Sequence, residues 1–124
     1  MREKVNGLPA SLINLEVVGQ NGGIIYLEKS GVFLKYYKAD QILVRRIDGA
    51  VHAVTGVPIT AGGSVADDSQ RFMAVGIPSV TIGNSGLPGY GMTGFHSEKD
   101  SLQRVNYRNI ELMVGVLARY IESY

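Results

Sequence analysis

Residues 76–84 read GIPSVTIGN, and this segment decides the fold class of the chain. Its β-branched residues stand between glycines, a pattern typical of a short buried strand. Two further segments have the same character: SLINLEVVG at 11–19, which carries Glu16 inside it, and GGIIYLEKSG at 22–31. A shorter strand is expected around 57–60. The sequence therefore predicts several buried strands.

Helical periodicity alternates with these strands. A helix is expected from about residue 34 to 54, ended by Gly56 and Pro58, and two helical turns are expected over 69–75. Asn106 is a good N-cap for a last helix. The apolar positions that define the two longer helices are Leu43, Ile47, Ala50, Val51 and Val54 in the first, and Ile110, Met113, Val114, Leu117 and Ile121 in the last. Strands alternating with amphipathic helices predict an α/β fold.

Length and composition suit one soluble domain over residues 1–124. The chain is 45% hydrophobic and 19% charged, with a net charge of +1 and no basic stripe, so neither nucleic acid nor a membrane is an expected partner. Cysteine is absent, so a transition metal would need histidine and carboxylate ligands. The lack of cysteines and of a signal-peptide pattern favours the cytoplasm.

Three predicted loops each carry an acid or a histidine, and loops of α/β proteins gather where strands end. A carboxylate in an apolar strand is costly to bury, so Glu16 either faces solvent at the strand end or binds a metal. Asp67 and Asp68 precede the short helix, where N-capping explains one acid better than the pair. The third loop carries His96. Their spacing alone does not bring them together.

The two histidines have different surroundings. His96 follows a glycine-rich run and is either a surface residue or a metal ligand. Asp100 could orient its imidazole, as partners of metal-bound histidines do, or cap the next turn. His52 falls within the first helix, where partial exposure is the simpler expectation. With so few histidines a Ser-His-Asp triad has little support, and neither a P-loop nor a dinucleotide fingerprint is present.

Three motifs in order resemble those of the zinc aminopeptidase family, which includes glutamate carboxypeptidases and glutaminyl cyclases. They are INLEVVG at 13–19, DDSQRFMAVGIPSVTIG at 67–83 and GFHSEKDSL at 94–102. The resemblance runs from about Leu12 to the C-terminus. It implies a partial three-layer α/β/α fold of the zinc-exopeptidase type, with a mixed, mostly parallel sheet.

The resemblance also implies roles for single residues. Glu16 matches an acidic zinc ligand, and His96 matches the histidine that completes the ligand set of the other zinc. Asp68 matches a supporting acid beside the catalytic cavity, and Asp100 an orienting acid. Tyr90, in the loop before His96, borders the expected substrate pocket. The chain departs from the family pattern in Asp67 for serine, Ser69 for histidine and Ser97 for threonine.

The implied activity is hydrolysis of a peptide at its free amino end with two zinc ions. The family's H-x-D motif, bridging aspartate and Glu-Glu pair are not found before Glu16. We therefore expect the chain alone to be inactive and to hold no di-zinc centre, since a catalytic zinc needs three protein ligands. A missing N-terminal half or a self-association partner is implied. A glutaminyl-cyclase-like acyltransferase and a non-catalytic assembly module are the alternatives.

Overall fold

The computed structural model describes residues 4–5, 8–32, 35–65, 67–84 and 105–123, which form an α/β fold. A mixed five-stranded sheet carries three helices, and a separate pair of two-residue strands precedes it. In chain order the elements are β1 (Lys4–Val5), β2 (Leu8–Pro9), β3 (Leu12–Leu15), β4 (Ile24–Val32), β5 (Lys35–Lys38), α1 (Gln41–Thr55), β6 (Thr60–Val65), α2 (Ser69–Ala74), β7 (Ser79–Asn84) and α3 (Tyr107–Glu122). The α/β prediction is confirmed.

Strand β4 is the longest of the sheet and pairs along both edges. Residues 25–30 pair in parallel with β6, while 24–26 and 29–32 pair antiparallel with β7 and β5. Strand β3 pairs in parallel with β7. Two of these four pairings are parallel, so the sheet is mixed as expected. The other two are antiparallel, so the described strands show a mixed sheet without the expected predominance of parallel pairings.

The main apolar core lies between one face of the sheet and helices α1 and α3. Its sheet side includes Ile24, Val80 and Ile82, each at most 7% exposed. The helices contribute Leu43, Val44, Ile47, Ala50, Val51, Met113, Val116 and Tyr120. Burial of this apolar area is the main stabilising contribution to the fold.

Helix α1 begins later than its periodicity predicts because residues 35–38 pair with β4. The Asp40 carboxylate then accepts hydrogen bonds from the N–H groups of Ile42 and Leu43, at 3.0 and 2.9 Å. Such an N-cap satisfies amide groups that have no partner within the helix. Gly56 ends the helix in the left-handed conformation, with φ 78°, as expected.

Helix α3 starts at the expected N-cap, because the Asn106 side chain accepts from the N–H of Asn109 at 3.0 Å. Its buried face differs from the expected stripe. Val116 and Tyr120 are buried, whereas Val114 and Ile121 are 61% and 68% exposed. Apolar residues cover about half of the circumference of this helix, so periodicity alone could not select the side that meets the core.

Helix α2 lies against the opposite face of the sheet. Thr81 stands between Val80 and Ile82 in β7, so its side chain leaves the other face. There its hydroxyl donates to the Ser69 hydroxyl of α2 at 3.0 Å. The expected short helix is thus confirmed. Its one and a half turns are held against the sheet by hydrogen bonds between side-chain hydroxyls. None of the described helices is long and apolar enough to cross a membrane.

Candidate functional site

Glu16 follows directly on β3, at the carboxyl end of the strand. Its N–H donates to the Ile82 carbonyl at 3.0 Å and so extends the ladder with β7 by one residue. Two residues earlier, the Asn14 amide donates to the Thr81 hydroxyl at 3.3 Å. Strand alternation therefore directs the Glu16 side chain to the same face as Thr81. The residue is partly buried and interacts within the structure.

The backbone after Glu16 makes a tight turn over residues 17–22. Val17 has φ 53°, and Gly19 and Gly22 have φ 94° and 100°. The left-handed region suits glycine, but for a β-branched residue it costs about 1–3 kcal/mol and requires support from neighbouring groups. The residue beside the proposed ligand is therefore held in an unfavourable conformation.

Three asparagines from distant parts of the chain supply this support. Asn84 accepts from the Gly19 N–H at 2.8 Å, and its amide donates to the Gly22 carbonyl at 3.2 Å. Asn109 donates to the Gln20 carbonyl at 2.6 Å, and the Asn106 N–H donates to the Gly19 carbonyl at 2.6 Å. The roles of Asn84 and Asn109 were not predicted from the sequence. Their only sequence signal is the glycine-rich turn itself, whose carbonyl groups need donors.

The adjacent acids before α2 have different surroundings. The Asp67 carboxylate accepts from the Ser69 N–H and the Ser30 hydroxyl, each at 2.7 Å, and also from the Ser69 hydroxyl. Asp68 is exposed and makes no side-chain capping bond. The capping expected of one acid is therefore provided by Asp67. The resemblance assigns the supporting role beside the catalytic cavity to the other acid, Asp68.

A polar network connects these groups across the sheet. The hydroxyls of Ser30, Ser69 and Thr81 are buried, with 0% exposure for each residue. Ser30 and Ser69 lie 3.0 Å apart, and the Thr81 hydroxyl lies between Ser69 and the Asn14 amide. The chain of contacts thus runs from β3, near Glu16, to Asp67. Isolated serines and threonines carry no sequence signal for such a network, because the partners are far apart in sequence.

Strand direction separates the predicted site residues. Strands β3 and β7 are parallel, so Glu16 and Asn84, which ends β7, lie at the same end of the sheet. Strand β6 is parallel to β4, which is antiparallel to β7, so the segment after β6 starts from the opposite end. Asp67 and Asp68 follow β6. Strand ends therefore do not bring the two acids to Glu16, and the described network connects Asp67 to Asn14 of β3 rather than to Glu16 itself.

Three predicted residues, Tyr90, His96 and Asp100, lie outside the described part of the chain. In the sequence they follow β7, which ends beside Glu16. His52 lies on α1 and is exposed, in keeping with its expected position. Phe72, one helical turn beyond Asp68, is 41% exposed.

The described residues contain no group of three or more histidine, cysteine, aspartate or glutamate side chains that could hold a metal. Glu16 has the donor chemistry of a zinc ligand but would need partners from elsewhere. A cleft of about 390 Å³ lies between β5 and the turn after α2, lined among others by Tyr36, Tyr37 and Ile77. It contains no predicted ligand among its described lining residues.

Comparison of the chain with protein-family models, curated protein sequences and solved structures gives no significant match.

Proposed function

We propose that this chain is the C-terminal part of a zinc-dependent, aminopeptidase-like metallohydrolase with a partial three-layer zinc-exopeptidase fold. The supporting observation is the position of Glu16. It stands at the carboxyl end of β3, hydrogen-bonded through its N–H to β7, and the segment with His96 continues the chain from the same end of β7. Ligand sites of α/β proteins gather at the carboxyl ends of neighbouring parallel strands.

In this proposal Glu16 and His96 are ligands of two neighbouring zinc ions. The chemistry that zinc supplies in such sites, when bound, is polarisation of a carbonyl group and activation of water. The remaining ligands and the general base come from a polypeptide segment outside these residues. Asp100 orients His96, and the loop with Tyr90 borders the peptide substrate.

The polar network gives the two adjacent acids different roles. Asp67 is bound to Ser30 and Ser69, so it holds α2 against the sheet. Asp68 is the exposed member of the pair and is the one that a substrate or a neighbouring segment could contact. The supporting role proposed for Asp68 is therefore separate from the structural role of Asp67.

Zinc titration followed by NMR tests the proposed ligands in the chain by itself. We expect the side-chain signals of Glu16 and His96 to respond over the same range of zinc concentration. Binding is expected to be weak, since each ion lacks most of its ligands.

His52 is the matched control, because it is an exposed histidine on α1, outside the proposed centre. A response of His96 no stronger than that of His52 would contradict the proposal. Metal analysis after purification gives a second check. Two tightly bound zinc ions per chain would contradict the expectation that other ligands are needed.

A glutaminyl-cyclase-like acyltransferase and a non-catalytic assembly module remain the competing proposals. The completed enzyme, assayed with both peptide and N-terminal glutamine substrates, separates the first two. Glu16→Ala and His96→Ala should abolish either activity, whereas an assembly module would bind its partner unchanged. An H-x-D and a Glu-Glu region in frame upstream of Met1 would support the metallohydrolase.

A further inference from the structure

Glu16 is bracketed by two contacts to strand β7. Its own N–H donates to the Ile82 carbonyl at 3.0 Å, and the carbonyl of the next residue, Val17, accepts from the N–H of Asn84 at 3.4 Å. The direction in which the Glu16 side chain leaves the backbone therefore depends on how Val17 is held. Val17 has the only positive φ of a residue other than glycine in the described chain.

Asn84 contacts the turn at three points, and it is 1% exposed. The bond to Val17 comes from its backbone N–H, whereas its side-chain oxygen accepts from the Gly19 N–H at 2.8 Å and its amide nitrogen donates to the Gly22 carbonyl at 3.2 Å. Only this orientation of the amide gives each contact a donor and an acceptor. A carboxylate or an aliphatic side chain could not make both side-chain bonds.

We infer that Asn84 is a positioning residue that fixes the backbone at Val17 and thereby orients the Glu16 carboxylate. Its relevance to metal binding rests on the ligand role proposed above for Glu16. Partners that orient a metal ligand typically change metal affinity by about 10–100-fold when they are removed. Asn84 would act in this way through the backbone, without touching the metal.

Asn109 provides the matched comparison because it binds the same turn and shares only the Gly22 carbonyl with Asn84. Its amide donates to the carbonyls of Gln20 and Gly22, at 2.6 and 3.0 Å, and no bond from it to Val17 or Gly19 is among the described contacts. A general loosening of the turn would follow from loss of either asparagine. Removal of the Asn84 side chain leaves its backbone bond to Val17 in place, so a specific effect on Val17 and Glu16 should arise through the lost bond to Gly19, which Asn109 does not make.

The experiment compares Asn84→Ala and Asn109→Ala by NMR in the full chain, first without zinc. The three-bond coupling between the amide and α protons of Val17 reports φ, and the carboxyl carbon signal of Glu16 reports its surroundings. We expect both signals to change in Asn84→Ala and to stay unchanged in Asn109→Ala. Adding zinc should then require about a tenfold higher concentration for half of the Glu16 response in Asn84→Ala.

Unchanged Val17 and Glu16 signals in a folded Asn84→Ala protein would overturn the inference, as would the same change in Asn109→Ala. Asn84→Leu serves if the alanine variant does not fold, since it fills a similar space but makes neither the bond to Gly19 nor the bond to Gly22. Unchanged signals in Asn84→Leu would also count against it. If the zinc-free signals change as expected but wild-type Glu16 ignores zinc, the ligand role fails and the positioning role of Asn84 stands.

Discussion

The two faces of the sheet are held by different forces. On one face Val80 and Ile82 of β7 pack against α1 and α3, and on the other Thr81 bonds to α2. All six residues of β7 are buried, so the threonine hydroxyl must find partners within the protein. The apolar face carries the larger core, while the polar face carries a smaller apolar cluster of Ile25 and Leu27 together with Glu16 and the acid pair. Substitutions on one face at a time test this difference.

The largest effect is expected on the apolar face. Ile47 is 1% exposed in α1, and Ile47→Ala should lower the free energy of unfolding by about 2–5 kcal/mol, through lost burial and the cavity left behind. Urea unfolding measures the change. Ile42, which is 48% exposed on the same helix, is the control, and Ile42→Ala should cost less than about 1 kcal/mol. Equal losses would mean that the core is misplaced.

On the polar face, Asp67→Ala should cost about 2–3 kcal/mol because it leaves the hydroxyls of Ser30 and Ser69 buried without their acceptor. Asp68→Ala should change the free energy of unfolding by no more than about 0.5 kcal/mol, since Asp68 is exposed. Urea unfolding of the two variants compares adjacent identical residues. The reverse order of losses would transfer the structural role to Asp68.

A smaller loss is expected at the centre of the network. Thr81→Val keeps the side-chain shape but removes the hydroxyl that donates to Ser69, and should cost about 1 kcal/mol. Thermal unfolding followed by circular dichroism is the measurement. Thr60 lies exposed at the start of β6, and Thr60→Val should cost less than about 0.5 kcal/mol. A stabilised Thr81→Val would show that the polar network is not required for the packing of α2.

The smallest effect is expected at His52, which belongs to neither face of the sheet. It is exposed near the end of α1, and His52→Ala should change the free energy of unfolding by no more than about 0.5 kcal/mol. The zinc response of Glu16 should be the same as in the wild type. A weakened response in the NMR titration would place His52 in the metal centre and contradict the proposed ligands.

The fold class, both long helices and the strand at 79–84 were predictable because their signals are local. The first turns of α1 and α3 are capped by Asp40 and Asn106, and α1 ends at Gly56. Each of these residues acts within a few positions of its own place in the chain. The start of α1 was placed too early because the pairing of β5 with β4 is a contact between strands that periodicity cannot detect. The buried side of α3 was only partly predicted, because apolar residues surround much of this helix and only its packing selects the buried side.

The types of residue in the candidate site were predictable from the sequence, but their arrangement in space was not. The sequence alone determined that Glu16 lies in an apolar, strand-forming segment and that two acids precede a short helix, since both features are local. Tertiary structure alone decided that Asp67 is bound within the network and Asp68 is exposed, that β6 runs opposite to β3 and β7, and that Asn84 holds the turn after Glu16. These depend on contacts between residues 35 to 67 positions apart, which a local pattern does not record.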